Sequence, residues 1–421
     1  MLLLDIGHIT PEVVDAALQR LRWDLVPNYA SIQERPTERR ALVPVMFALR
    51  VLPLAIKVSR EDLQSAASIA QLFQPAISGV CRWQRLTLKL RTDDDTPTAH
   101  AQQAKEVIGV ADFWRNFLEV YPSLRQRVLE TREFYALLIF LWTSRHGSTG
   151  RLYDEATKKD GNWILALVTA VTKDDAGTQG LASFLQSGQP RVLRTFATAL
   201  LDYARQALYP RCTEPAVEYY KEILALTGKL AFNPTIRYAL EKGRYVHTLT
   251  AILAKATKYV MESKDPVNRH AGVILYQAFI AFVLHLGSNN RKEVMINWKS
   301  MLRGGAMDVL MPTSVSMATF MATALTGGAE HWISNETFAA KLFNLVGGLT
   351  MYPTILQEVN IYDPPPEMAT RSPQISREWK SLCAEMAARR RVLKQMGHEF
   401  MICDNLQVRA LPLTSCWDRF N

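Results

Sequence analysis

The sequence predicts an all-α chain, a degenerate armadillo/HEAT-like right-handed helical solenoid, on three observations. Apolar residues recur at helical spacing through most of the 421 residues, and period-2 alternation with β-branched residues is hard to find. A helix–turn–helix pattern recurs: Val128-Leu129-Glu130-Thr131-Arg132-Glu133-Phe134 and Ala239-Leu240-Glu241-Lys242-Gly243-Arg244-Tyr245 each close a short helix in Leu-Glu, turn, and open a longer helix with an aromatic. Two weaker copies follow the same template, Leu185-Gln186-Ser187-Gly188 ahead of a helix from Arg191, and Leu302-Arg303-Gly304-Gly305-Ala306-Met307 ahead of Val309 and Leu310. Units of this kind cannot bury their apolar faces alone and must stack on neighbours. The intervals between copies exceed the roughly 40–47 residues of armadillo and HEAT units, so each is expected to hold three helices and a longer connector.

Taken in order, Thr10-Pro11-Glu12 opens the first helix with a capping hydroxyl, a proline at the first position and an early acid; the helix runs to about Trp23. A second begins near Thr37, with Pro44 and Pro53 expected to break or kink it. Arg60 to Phe73 is predicted helical and ended by Pro75; Ile77 to Arg91 is a further helix, followed by an exposed turn at Asp93-Asp94-Asp95-Thr96-Pro97. Ala101 to Tyr121 is closed by Pro122, Ser123 to Thr131 is short, and Phe134, Leu137, Leu138, Leu141 and Trp142 form one broad apolar stripe. Helices are then expected over Asn162–Val171, Leu181–Leu185, Arg191–Tyr209, Pro215–Thr227 and Pro234–Lys242, with a longer one carrying Tyr245, Leu249, Ile252, Leu253 and Ala256. Gly272 to Gly287 is the longest apolar stretch; it falls short of the roughly 20 residues of a bilayer span and is expected to be a buried helix. The repeat domain is assigned to residues 1–362, a stiff Pro-rich linker to 363–375, and an exposed basic helix with an irregular tail to 376–421.

Chemistry is sparse. No GxGxxG or Walker A pattern occurs, Gly304-Gly305 and Gly347-Gly348 are expected to be turns between helices, and His398-Glu399 lacks the second histidine of a zinc protease. The eight histidines are scattered, and Cys383, His398 and Cys403 are the one local cluster of metal-ligating types, without a paired motif. No catalytic residue, cofactor or metal ligand is assigned. Five dispersed cysteines without a CxxC, and an N-terminus without a basic n-region, point to an intracellular protein of the cytoplasm or nucleus. Trp83, Trp142 and Trp163 sit in apolar runs and are expected in the core. The formal charge of +9 directs attention to Arg377, Lys380, Arg389, Arg390, Arg391 and Lys394 as a basic interaction surface.

The order Ile77-Ser78-Gly79-Val80-Cys81-Arg82-Trp83, then Tyr121-Pro122-Ser123-Leu124-Arg125-Gln126-Arg127-Val128-Leu129-Glu130-Thr131, then Leu138-Ile139-Phe140-Leu141-Trp142 resembles the helical region of MYND-type zinc-finger proteins of mushroom-forming basidiomycete fungi, over residues 30–360. The resemblance implies an armadillo-like platform with a zinc-binding MYND module near the C-terminus. Here Trp379, Cys383 and Arg389-Arg390-Arg391 resemble only the segment around the end of such a finger; the paired cysteines before it are missing, so no zinc ligand carries over.

These features lead to an expected non-enzymatic scaffold that binds a protein partner along its helical-repeat surface, without a membrane span. Nucleic-acid binding through the basic surface and C-terminal helix is the alternative, and an enzyme with a dispersed active site the third.

Overall fold

The computed structural model describes residues 9–27, 29, 42–91, 97–147, 149–153, 162–208, 213–262, 267–287, 291–310, 312–313, 343–344, 346–350, 353–359 and 373–396. Among the described residues regular structure is helical throughout, apart from an isolated antiparallel bridge between Arg145 and Leu152. The described helices are α1 (Pro11–Arg20), α2 (Val43–Glu61), α3 (Leu63–Arg91), α4 (Pro97–Val120), α5 (Arg125–Glu130), α6 (Arg132–Thr143), α7 (Trp163–Val171), α8 (Asp175–Ser187), α9 (Pro190–Ala207), α10 (Glu214–Ala231), α11 (Pro234–Lys242), α12 (Tyr245–Glu262), α13 (Val267–Gly287), α14 (Arg291–Arg303), α15 (Pro353–Leu356) and α16 (Pro373–Met396). They fall into two compact units, residues 1–211 with 226–243, and residues 212–225 with 244–421.

In the first unit the packing has a period. Helix α3 packs on α6 and α6 on α9; α4 packs on α7; α5 packs on α8 and α8 on α11. These five pairs each join a helix to the one three further along, the pattern of three-helix layers stacked in tandem. Three of the leucines that align the sequence copies mark this rhythm, Leu129, Leu185 and Leu240 in the closing turns of α5, α8 and α11; Leu302 lies in the closing turn of α14 in the second unit. The all-α repeat architecture predicted from the sequence is thus present. Before the first layer, α1, α2 and α3 pack on one another. In the second unit α12 packs on α13 and α14, α14 on α15, and α15 on α16. Helix α13 contains the apolar stretch, and Ala271, Val273, Ile274, Leu275, Tyr276, Phe279 and Phe282 are buried in it. No helix among the described residues is long and apolar enough to cross a membrane.

The core of the first unit is aromatic. Trp114 meets Phe113, Phe117 and Phe134 at ring separations of 5.1, 5.2 and 5.2 Å. Each such ring removes a large apolar area from water and prefers these tilted or edge-on arrangements. The polar edges are satisfied as well: Trp114 Nε1 donates to Gln84 Oε1 at 2.7 Å, and the Ser59 and Tyr121 hydroxyls lie 2.6 Å apart. Burial pushes the Tyr121 phenol up to about 12, so it stays a neutral hydrogen-bonding group at ordinary pH.

The helix end expected at Pro75 is corrected, and of the break or kink expected at Pro53 the break is absent. Pro75 does not end a helix: α3 is continuous over 29 residues with Pro75 inside it, and α2 likewise runs through Pro53. Both prolines are exposed. The carbonyl that each deprives of an intrahelical partner therefore sits toward water, which replaces the bond, and burial of α2 and α3 against α1 and each other offsets the remaining cost. The pair Gly347-Gly348 also departs from expectation, since 346–349 form a helical turn; Gly304-Gly305 is a turn as expected, with Gly305 at φ +87°. Thr37, the turn at 93–95 and the linker over 363–372 lie outside the described residues.

Gly79 is set by close approach. A Cβ there would lie 2.0 Å from the Leu21 carbonyl oxygen and 2.9 Å from the Trp23 nitrogen, both main-chain atoms that cannot swing aside. Gly79→Ala is expected to destabilise the chain by about 1–3 kcal/mol, the range for overpacking a tight contact. Urea unfolding checks this; a variant with wild-type stability would show that α1 and α3 do not approach so closely.

Candidate interaction surfaces

The six basic residues singled out in the sequence lie on α16, but the helix is not the exposed rod expected from its charge. Ile375, Trp379, Leu382 and Met386 are buried at helical spacing, and the Trp379 ring lies 5.7 Å from that of Phe343. This stripe seats α16 on residues 343–359 of the second unit. Arg389 then turns onto the Gly347 carbonyl, the Thr350 hydroxyl and the Glu385 carboxylate. Arg390 donates to the Leu356 carbonyl at 3.1 Å and to the Val359 carbonyl. These acceptors include main-chain oxygens at the C-terminal ends of helical turns, where the partial negative charge attracts cationic side chains; the Gly347 carbonyl also accepts from the Thr350 hydroxyl at 2.7 Å. Arg389 and Arg390 are therefore engaged within the fold. Arg377, Lys380, Arg391 and Lys394 remain exposed, on the side of α16 away from its buried stripe.

Cys383 is half-buried and reduced. Cys403 and His398, its companions in the sequence cluster, lie outside the described residues, and among the described residues no group of three or more metal-ligating side chains converges. The tryptophans largely follow expectation. Trp83 and Trp142 are buried and donate through Nε1 to the carbonyls of Arg22 and Phe196, at 3.3 and 3.1 Å. Trp163 is only half-buried; the Arg115 guanidinium lies over its ring at 5.1 Å, a cation–π contact.

Two arginine-lined clefts in the first unit went unseen in the sequence. One, of about 400 Å³, is lined by Arg145, Arg191, Arg194, Thr195 and Thr198. Arg191, Arg194, Thr195 and Thr198 follow the i, i+3, i+4, i+7 pattern of one helical face, at the start of α9. Arg145 arrives from the turn after α6. Its guanidinium is held by the Gly150 carbonyl at 3.0 Å and by Asp202 at 2.5 Å, and Asp202 also accepts from Arg205 at 2.7 Å. The guanidinium groups of Arg191 and Arg194 have no hydrogen-bond or ion-pair partner among the described residues. The local signal was available as Arg191-x-x-Arg194-Thr195-x-x-Thr198; the contribution of Arg145, far off in the chain, was not.

The second cleft, of about 370 Å³, is lined by Cys81, Arg82, Arg85, Arg132, Glu133, Ala136 and Phe184. Arg82 pairs with Glu133 at 2.8 Å and lies over the Trp23 ring at 5.4 Å. Burial alone would raise the Glu133 carboxyl, but the hydrogen bond and charge of Arg82 hold it below the usual carboxylate range. Burial pushes the Cys81 thiol well above its ordinary value and keeps it protonated and inert. This cleft thus contains its own counter-ion, whereas the first has no acidic side chain in its lining.

No protein-family model and no curated protein sequence matches the chain. Among solved structures it is similar to a "circular tandem repeat protein with novel repeat topology and enhanced subunit contact surfaces", at 12% identity and a TM-score of 0.25, over 92% of this chain and 96% of that one.

Proposed function

We propose that the chain is a non-enzymatic scaffold that binds another protein along the surface of its stacked helices. The observation that supports this is the three-helix period of the first unit. Stacked layers present the same helix positions side by side, so an extended partner can engage several in succession. The arginine-lined clefts supply polar anchoring points on that surface, and arginine is favoured where planar, bidentate recognition is required.

Affinity purification of the tagged full chain from its own cell extract, with and without nuclease, followed by mass spectrometry, tests the proposal. A defined protein partner that persists after nuclease is the expected result. Loss of every partner on nuclease treatment would replace the scaffold by a nucleic-acid-binding protein.

A further inference from the structure

The cleft at the start of α9 holds more positive charge than its surroundings neutralise. Three guanidinium groups and two threonines line it, and the one carboxylate at its edge, Asp202, is shared between Arg145 and Arg205. Arg191 and Arg194 are exposed, one helical turn apart, and line the same cleft as Arg145, so each repels the others. Asp202 offsets Arg145, and no ion pair among the described residues offsets Arg191 or Arg194. Arg145, by contrast, is oriented in advance by the Gly150 carbonyl and the Asp202 carboxylate. The Thr198 hydroxyl has no hydrogen-bond partner among the described residues, while Thr195 donates to the Arg191 carbonyl at 2.8 Å.

We propose that this cleft binds a phosphate monoester carried on a peptide segment of the protein partner. The inference rests on the scaffold reading and names the chemistry by which that partner is recognised. A phosphorylated serine or threonine carries about −1.5 to −2 charges and three strong acceptor oxygens at neutral pH. Two unpartnered guanidiniums and a third in the same lining, held by Gly150 and Asp202, match that charge and supply donors in forked geometry. A carboxylate has one charge and two oxygens and leaves part of the cleft unmatched. A nucleic acid gathers its affinity over many singly charged phosphates along a basic stripe. Here the excess is focused at one place, on Arg191 and Arg194.

The test uses the full chain and fluorescein-labelled peptide pools, degenerate except for a central phosphoserine, serine or glutamate. A single-stranded oligonucleotide and inorganic phosphate as competitor complete the set. Fluorescence polarisation should show the phosphoserine pool binding roughly tenfold or more tightly than either other pool, since two charge-assisted contacts are at stake. R191A/R194A should abolish that preference, K380A/R391A on α16 should retain it, and inorganic phosphate should compete. Both double variants alter exposed side chains, and unchanged thermal unfolding confirms that they fold. Equal binding of the three pools, an R191A/R194A variant that binds as wild type, or an oligonucleotide that binds the cleft more tightly than the phosphoserine pool would each overturn the proposal. The scaffold reading is scored separately: a captured partner indifferent to phosphatase and to R191A/R194A removes the phosphate site and leaves the scaffold standing.

Discussion

Trp142→Ala is expected to lower stability by about 3–5 kcal/mol, the range for truncating a buried aromatic to alanine. The side chain has no exposed surface. Its ring lies 4.4 Å from that of Tyr203 and 5.6 Å from that of Phe196, so it is the contact through which α6 rests on α9. Truncation would leave a void bounded by two rings that cannot both collapse into it, and would remove the donor to the Phe196 carbonyl. Trp142→Phe, which keeps most of the volume, should lose clearly less. Urea unfolding followed by circular dichroism separates these cases. A loss near 1 kcal/mol for the alanine variant would mean that α6 and α9 do not depend on this residue.

Trp379→Ala is expected to have a comparable local effect, about 3–5 kcal/mol, but to act on one helix. Trp379 is fully buried and central to the stripe that seats α16, and Arg389 and Arg390 reach their carbonyl partners only while that stripe is docked. Loss of the tryptophan should release both arginines and raise amide hydrogen exchange over 373–396. Exchange in α3, α6 and α9 should stay unchanged. Unaltered protection of α16 would contradict the docked arrangement. The released helix would expose a continuous basic and apolar surface, so non-specific retention on heparin should increase together with exchange.

What the sequence made legible was local. Leu129 and Leu240 with their following aromatics are paired signals within a few residues, and they mark helix ends in the structure. Pro234 and Lys242 bound α11 because a proline at the first position and a glycine just past the last are both determined nearby. Pro75 misled because its effect depends on which side of α3 it occupies, and that is set by α1 and α2. The charge of α16 suggested a solvated helix, yet Ile375, Trp379, Leu382 and Met386 already had helical spacing; what was missing was the surface of 343–359 that receives them. The α9 cleft was half legible. Arg191, Arg194 and Thr198 share a face in any helix, but it is the packing of α6 on α9, with Asp202 accepting from Arg145, that brings Arg145 to them.

The period-three packing of the first unit has a consequence for how the chain acquires its structure. When α6 has been synthesised its partner α3 is already available, and when α9 follows, α6 is waiting. No helix in that succession must remain unpaired until a distant segment arrives. Contacts this short in sequence favour fast closure, and folding can proceed layer by layer as the chain emerges from the ribosome, each completed layer serving as the template on which the next one condenses.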